Sequence, residues 1–186
     1  MNATSFAVFD TAIGACGIAW GERGITNAWL PERDPDALRR RIARRLQHAR
    51  ETEPGDEIRA AVAGIVGLLK GAGAASELSR VPLDLDGVPD FHRRVYALAR
   101  EIPAGKTLSY GEIARRLGDV SRARAVGAAL GANPIPILIP CHRVLAANGR
   151  TGGFSAPGGV STKLRMLEIE GARANAIPTL FAEPGA

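Results

Sequence analysis

The sequence predicts a two-domain protein of the mixed α/β (α+β) class, in which a small antiparallel sheet with helices precedes a mostly helical domain. Short apolar runs separated by glycines fill the first thirty residues, which is typical of a strand meander. Apolar residues then recur at helical spacing. Between residues 71 and 90 the composition shifts to Gly, Ala, Ser, Pro and Asp, which indicates a domain boundary. We therefore expect domains over 1–86 and 87–171, followed by a tail over 172–186.

The first domain is expected to contain three strands and two helices. The strands correspond to the runs Phe6 to Phe9, Gly17 to Trp20 and Ile25 to Leu30. Asp34 and Pro35 supply an N-cap and a first-turn proline for a helix to about Arg50. A second helix follows the break at residues 53–55, and one of its sides is apolar, with Ile58, Val62, Ile65, Val66 and Leu69.

The chain is basic, with a formal net charge of +5 and a sequence pI near 9.9. Such a charge favours polyanionic partners, although a well-solvated arginine-rich surface explains many basic proteins equally well. The densest basic run, Arg39 to Arg45, alternates with Leu38, Ile42 and Leu46 at helical spacing. This run is therefore interpreted as the exposed face of an amphipathic helix.

Cysteine and histidine usage argues against disulfides and bound metals. Cys16 and Cys141 are far apart and the polar start of the chain does not resemble a secretory leader, so we expect a reducing, cytoplasmic location. No apolar run approaches the roughly 20 residues of a membrane-spanning helix, and no membrane contact is expected. Paired metal-ligand spacing is absent from the two cysteines and from His48, His92 and His142.

The second domain has the spacing of a helix-turn-helix. Asp90 is expected to cap a helix with Phe91, Val95, Leu98 and Ala99 on one face, ending by Pro103. Ser109 and Glu112 form a capping box for a helix through Leu117. A turn at 118–120 leads to a helix from about Ser121 to Gly131, and a last helix is expected over 161–170. Because an αα-hairpin in a core has the same pattern, this spacing alone is weak support for DNA binding.

The second helix of this motif is made of unusually small residues. Arg124 is a lone long cation among Ala123, Ala125, Gly127, Ala128, Ala129 and Gly131. Packing against a neighbouring helix would explain these small residues equally well. Reading bases in the major groove normally uses several long polar side chains, so a different groove contact is implied if the helix meets DNA.

The strongest chemical signal is Cys141 followed by His142. Prolines keep the apolar segment 135–140 from being helical, and it delivers this pair at its end. A lone cysteine is usually an inert core residue, but a neighbouring imidazole can activate a thiol directly or through one water. Sequence neighbours need not face one another, which favours the bridging water. Glu168 and Glu170 are both candidates to orient the histidine.

Over nearly all of residues 91–171 the chain resembles the O6-alkylguanine-DNA alkyltransferase family, whose members are also called methylated-DNA–protein-cysteine methyltransferases. The resemblance is carried by a six-residue block around the cysteine and by flanking signals. These are Ile102-Pro103, Gly105, Ser109-Tyr110-Gly111, Arg124 to Gly127, Asn133-Pro134, Ile139 to Val144, Gly153-Phe154, Gly158-Gly159, Lys163 and Glu170.

The resemblance implies an RNase H-like first domain, a winged-helix-like second domain and a single-use reaction without a cofactor. The alkyl group of O6-alkylguanine in double-stranded DNA would pass irreversibly to Cys141, with His142 and Glu170 as its relay. Tyr110 and Lys163 would assist the leaving guanine, and Asn133 would brace the turn before the active-site segment. Whether O4-alkylthymine is also repaired stays open, and a monomer is expected.

The resemblance also implies minor-groove binding with the damaged nucleotide flipped out of the stack. Ala123, Ala125 and Gly127 would allow the close approach, and Arg124 would fill the gap. The carbonyls of Cys141 and Val144 would accept from the guanine amine, and the Ser155 backbone would donate to O6. Two departures stand out: Phe154 replaces a tyrosine found in many members, and the loop over 155–159 is longer than in some.

Three alternatives remain at the sequence level. An alkyltransferase-like protein would bind lesions without repairing them, but such proteins lack the acceptor that Cys141 supplies. A helix-turn-helix regulator would keep the cysteine as a core residue. A Cys-His-Glu hydrolase or transferase would show true turnover.

Overall fold

Three antiparallel strands form most of the four-stranded sheet of the N-terminal half in the computed structural model, which describes residues 3–71 and 78–172. They are β1 (Ser5–Thr11), β2 (Gly14–Gly21) and β3 (Gly24–Trp29). The predicted meander is thus confirmed, with strands longer than their apolar runs. The predicted tail lies, except for residue 172, outside the described residues.

The first helix ends earlier than predicted. Helix α1 (Pro35–Arg45) begins as expected, because the Asp34 carboxylate accepts from the Ala37 amide at 2.6 Å. Its predicted end at Arg50 is wrong, since Arg50 and Glu51 form a short strand, β4, parallel to β1. The Arg50 amide donates to the Thr4 carbonyl at 3.1 Å, so the sheet satisfies backbone that a longer helix would have used. The strand order is β3-β2-β1-β4.

Two helices within the described residues of this half cover opposite faces of the sheet. Leu38 and Ile42 of α1 pack in a cluster with Phe6 and Ala19, whereas helix α2 (Asp56–Leu69) packs Ile65 in the cluster that holds Ala7 and Ile18. Successive strand residues point to opposite faces, which explains why neighbours such as residues 18 and 19 belong to different clusters.

The C-terminal half contains four helices in the described residues: α3 (Asp90–Arg100), α4 (Tyr110–Arg116), α5 (Ala123–Gly131) and α6 (Gly159–Ile169). The capping box of α4 is confirmed, with the Glu112 amide donating to Ser109 Oγ at 3.1 Å and the Ser109 amide donating to Glu112 Oε2 at 2.6 Å.

Two predicted helix starts are corrected. Pro89 occupies the N-cap position of α3 and makes no side-chain cap; Asp90 is the first helical residue, and its carboxylate pairs with Arg93 at 3.4 Å. Helix α5 begins at Ala123 instead of Ser121, because residues 120–122 form a 3-10 turn capped by Asp119, whose carboxylate accepts from the Ser121 amide at 2.9 Å.

A short parallel ladder joins the start of α4 to the chain after Cys141. It pairs β5 (Leu108–Ser109) with β6 (Val144–Leu145), and two-residue strands are too short to show a sequence period. The ladder fixes the segment that carries the cysteine against the first helix of the helix-turn-helix.

Buried residues of both halves share one hydrophobic cluster, which contains Ile18 and Ile65 as well as Val95, Ile139 and Met166. The two halves therefore pack together without a solvent layer at this core, while their division after residue 86 stays a prediction. None of the helices in residues 3–71 and 78–172 has the length and apolar character needed to cross a membrane.

Candidate active site

Cys141 stands at the end of a braced, non-helical segment. The Asn133 side chain holds that segment at both ends, because its Nδ2 donates to the Ile139 carbonyl at 2.8 Å and its Oδ1 accepts from the Ile135 amide at 2.9 Å. Ile137, between them, has a left-handed backbone with φ of 73°, which is uncommon for a β-branched residue. Residues 141–143 then form a 3-10 turn that ends the segment.

The Cys141 thiol is largely buried, with 9% of the residue exposed. Burial raises the pKa of this thiol, and a hydrogen bond with Asn133 and the charge of Lys163 act in the opposite direction. Because the thiolate is the nucleophilic form of cysteine, reaction at neutral pH requires a proton acceptor and a nearby cation.

His142 is fully buried and contacts a carboxylate. Its Nε2 lies 2.9 Å from Glu170 Oε1. Glu170 follows the end of α6 and turns its carboxylate inward, whereas Glu168 is exposed. Of the two glutamates left open by the residues themselves, Glu170 is therefore the one in contact with the histidine.

Arg143 completes this buried group, and the sequence analysis gave it no role. Its Nε and Nη2 donate to the two Glu170 carboxylate oxygens, each at 2.8 Å, and its Nη1 donates to the Ile102 carbonyl at 2.6 Å. The sequence contained one signal for this role, which is an arginine directly after Cys-His in an apolar stretch. A guanidinium that becomes buried requires a carboxylate partner.

The charges of this group determine the histidine tautomer. Burial raises the pKa of Glu170, but the hydrogen bonds from His142 and Arg143 outweigh it and lower the value to about 2. Burial lowers the pKa of His142. A neutral imidazole beside a carboxylate donates its Nε2 proton to it, so Nδ1 carries the lone pair. This Nδ1 is buried and has no hydrogen-bond partner among the described residues.

Lys163 is a fully buried lysine on α6. Its Nζ donates to the carbonyls of Val144 and Thr151, each at 2.7 Å, and lies 5.9 Å from the ring centroids of Tyr110 and Phe154. Burial lowers the pKa of Lys163 to about 8, although the nearby Cys141 acts against this shift. The Val144 carbonyl, expected to accept from a guanine amine, thus already accepts from this ammonium.

A cleft of about 900 Å³ opens onto Cys141 from the side of the helix-turn-helix. Seven of the site residues predicted from the sequence share its wall: Tyr110, Ala123, Arg124, Gly127, Cys141, Phe154 and Ser155. Burial raises the pKa of Tyr110, with Cys141 adding to the shift, so the phenol keeps its proton. We call this space the substrate cleft.

The remaining predicted residues lie outside that wall. His142, Lys163 and Val144 are buried, and the Glu170 side chain is buried with them. Asn133 braces the segment before the cysteine. Ala125 lies on the exposed face of α5 with Arg124.

The loop after Phe154 forms one rim of the substrate cleft. Ser155 Oγ donates to the Gly131 carbonyl at the end of α5, at 3.0 Å. This contact ties the loop to the second helix of the helix-turn-helix.

The described part of the chain contains no group of three potential metal ligands (His, Cys, Asp or Glu).

Known proteins are similar to this chain in both sequence and fold. The family model described as 6-O-methylguanine DNA methyltransferase, DNA binding domain, matches residues 90–172. A methylated-DNA–protein-cysteine methyltransferase of Methanothermobacter thermautotrophicus is 36% identical over 83% of this chain and 78% of that relative. One from Mycolicibacterium paratuberculosis is 46% identical over 65% of this chain and 72% of that relative.

A third methylated-DNA–protein-cysteine methyltransferase, from Mycobacterium tuberculosis, is 49% identical over 110 residues. This match covers 59% of this chain and 64% of that relative. The chain therefore spans less than two thirds of the length of this relative.

Solved structures extend the likeness to the N-terminal half. The crystal structure of Mycobacterium tuberculosis OGT in complex with DNA is 35% identical, has a TM-score of 0.71 and covers 90% of this chain and 93% of that one. The O6-methylguanine-DNA methyltransferase of Pyrococcus kodakaraensis is 27% identical, with a TM-score of 0.67 and coverage of 90% and 99%.

Proposed function

This chain belongs to the methylated-DNA–protein-cysteine methyltransferase family, and we propose from that premise that it repairs DNA by direct reversal. The alkyl group of O6-alkylguanine in DNA is transferred once, irreversibly, to Cys141. The observation that carries the proposal is a thiol at the substrate cleft with the buried His142–Glu170 pair beside it.

His142 takes the thiol proton. Glu170 accepts from Nε2 at 2.9 Å, which leaves the Nδ1 lone pair as the base, and one bridging water carries the proton between sequence neighbours that need not face each other. Arg143 keeps Glu170 ionised through two hydrogen bonds, and a fixed carboxylate stabilises the imidazolium that forms. Lys163 stabilises the thiolate by its charge.

Transfer forms the bond from Sγ to the alkyl carbon as the bond from that carbon to O6 breaks. The electron pair goes to the guanine ring, which gains a proton to replace the one lost by the thiol. Tyr110, protonated and in the wall of the cleft, donates toward the ring. Donation to a developing negative charge typically contributes about 10²-fold or more. The Ser155 backbone donates to O6. The Cys141 and Val144 carbonyls accept from the guanine amine.

DNA is the partner, met in its minor groove by α5. Ala125 and Ala128 are exposed on this helix, so its backbone can approach the duplex closely. Arg124 is exposed beside the substrate cleft and fills the gap left by the flipped nucleotide. The relative from Mycobacterium tuberculosis whose structure contains DNA is consistent with this partner.

The finer fold assignments are part of the proposal. The N-terminal half is RNase H-like, supported by the strand order β3-β2-β1-β4 with β4 parallel to β1. The C-terminal half, over 87–171, is a winged-helix-like domain, supported by α4, the turn and α5. Both cysteines are free thiols, which supports a reducing, cytoplasmic location.

Intact-mass measurement tests this function. After mixing with duplex DNA that contains O6-methylguanine, the protein gains one methyl group, localised to Cys141 and never more than one per chain. An unmodified duplex gives no gain. Cys141→Ser gives no gain but keeps DNA binding, because the DNA contacts are on the helix-turn-helix. Binding to the lesion without transfer by the intact protein would instead identify an alkyltransferase-like function, and more product than protein would identify a turnover enzyme.

A further inference from the structure

A second cleft, of about 760 Å³, also reaches Cys141. It shares with the substrate cleft the cysteine and the rim residues Leu130, Gly131, Phe154 and Ser155. Its remaining wall comes from the junction of the two halves. We call it the arginine cleft, because α1 contributes Arg41, Arg44 and Arg45 to its wall.

The arginine cleft has basic side chains and no acidic ones in its described wall. Arg41 pairs with Glu32, but Arg44 and Arg45 have no ion pair within the described residues. A concave wall with unpaired cations of one sign attracts anions.

The rest of that wall is suited to an apolar group. Trp29, Leu30, Val88 and Tyr96 belong to it. A ligand that enters this cleft from Cys141 therefore meets a wall that offers both apolar side chains and cations.

We propose that the arginine cleft receives the far end of bulky alkyl groups and favours those that end in an anion. The inference rests on the proposed function, since the carbon attacked by Cys141 must lie at the meeting point of the two clefts. Guanine occupies the substrate cleft, and a long O6 substituent extends into the arginine cleft. The substrate class is O6-alkylguanines with a carboxylate at the end of an apolar arm, while a methyl group is too short to reach either arginine.

The transfer step is the same for every arm. The bond from Sγ to the benzylic or other O6-bound carbon forms, the bond from that carbon to O6 breaks, and guanine leaves with the electron pair and a proton. The carboxylate of the arm takes no part in bond changes. Its interaction with Arg44 and Arg45 lowers the free energy of the bound substrate and of the transition state, so it increases the second-order rate constant of transfer.

The expected preference is modest because both arginines are exposed. Two opposite charges at about 10 Å near a protein surface interact by roughly 1 kcal/mol, which corresponds to a rate ratio of about five. Salt at about 0.5 M should remove most of it, because exposed charges are screened beyond a few ångströms at that concentration.

Three free nucleobases provide the test, since none requires DNA binding. They are O6-benzylguanine, O6-(4-carboxybenzyl)guanine and O6-(4-aminomethylbenzyl)guanine, which place a neutral, an anionic and a cationic end on the same ring. Single-turnover rates of mass gain on the full chain are expected in the order anionic, neutral, cationic, with about fivefold between the first two at low salt.

The charge-reversal variant Arg44→Glu/Arg45→Glu should invert that order. Arg40→Glu/Arg59→Glu is the matched control, because it changes the net charge equally at exposed residues outside both clefts and should keep the wild-type order. The rate with O6-benzylguanine is the internal reference, so a general loss of activity cancels in each ratio.

The proposal is overturned if the three rates are equal in the wild type, or if both double variants change the ratios alike. Absence of methyl transfer from O6-methylguanine in DNA is a different result, because it would refute the proposed function itself.

Discussion

The surroundings of Cys141 have opposite effects on the ionisation of its thiol. Burial raises its pKa, and Lys163 is the cation that opposes this effect. The pKa of Lys163 is itself lowered to about 8, so its charge is present below that pH and is lost above it. The ammonium of Lys163 can therefore stabilise the thiolate only below about pH 8.

Removing the charge of Lys163 should make Cys141 less reactive. In Lys163→Met the thiol pKa rises, and carbamidomethylation of Cys141 at pH 7.5 should slow by on the order of tenfold, because a smaller fraction of the thiol is ionised. Mass spectrometry of the Cys141 peptide separates this reaction from that of Cys16, whose pKa burial raises to about 11. Lys163→Arg is the control, because it keeps the charge. Coincident pH profiles for Lys163→Met and the wild type would show that this cation does not act on the thiol.

Helix α5 combines an apolar inner face with an outer face of small residues. Val126 and Leu130 are buried, whereas Arg124, Ala125 and Ala128 are exposed. Because these exposed residues are small, the backbone of α5 is open to close approach by a partner, as the proposed DNA contact requires.

Arg124→Ala should separate base flipping from chemistry. Flipping costs a few kcal/mol, so on the proposed role of Arg124 in filling the gap, its loss should slow transfer from duplex DNA by about tenfold or more. Reaction with free O6-benzylguanine, which needs no flipping, should change less than twofold. Arg124→Lys should restore duplex activity only in part, because the proposed role depends on the planar guanidinium and not on charge alone. Equal losses on both substrates would assign Arg124 to the fold instead.

The C-terminal half is stabilised by a buried charge network as well as by apolar packing. Glu170, Arg143 and the Ile102 carbonyl form one buried network, so the active site is also part of the stability of the C-terminal half. Removal of one partner of a buried ion pair is typically costly, about 3 to 5 kcal/mol.

This network should make the protein sensitive to acid. The pKa of Glu170 is about 2 in the folded state against an ordinary value of 4.5. Because the unfolded chain takes up its proton first, the stabilisation is present above about pH 4.5 and is lost as the pH falls toward 2. Urea unfolding of Glu170→Gln should show a lower free energy than the wild type at pH 7, by on the order of 3 kcal/mol, and a smaller difference at pH 3. The exposed Glu168→Gln should follow the wild type throughout. A constant difference for Glu170→Gln from pH 7 to pH 3 would contradict this assignment.

Local sequence signals determined much of the molecule. The strands, the N-cap at Asp34 and the capping box at Ser109 depend on residues close together in the chain, and all are present in the structure. The Cys-His pair and the small residues of α5 were also visible in the sequence, because their chemical meaning lies in residue type and order.

Contacts between distant residues could be decided only by the tertiary structure. Without the family resemblance, the residues alone do not choose between Glu168 and Glu170, and the structure shows that the end of α6 turns only the second toward His142. Arg143 acquires a role because Glu170 comes within 2.8 Å of it. The β4 and β5–β6 pairings have two residues per strand, too few for any period to predict them. The arginine cleft exists because α1 and residues of the C-terminal half border the same cavity. The physical reason is that α1 packs on one face of the sheet, while the other face belongs to the hydrophobic core that both halves share.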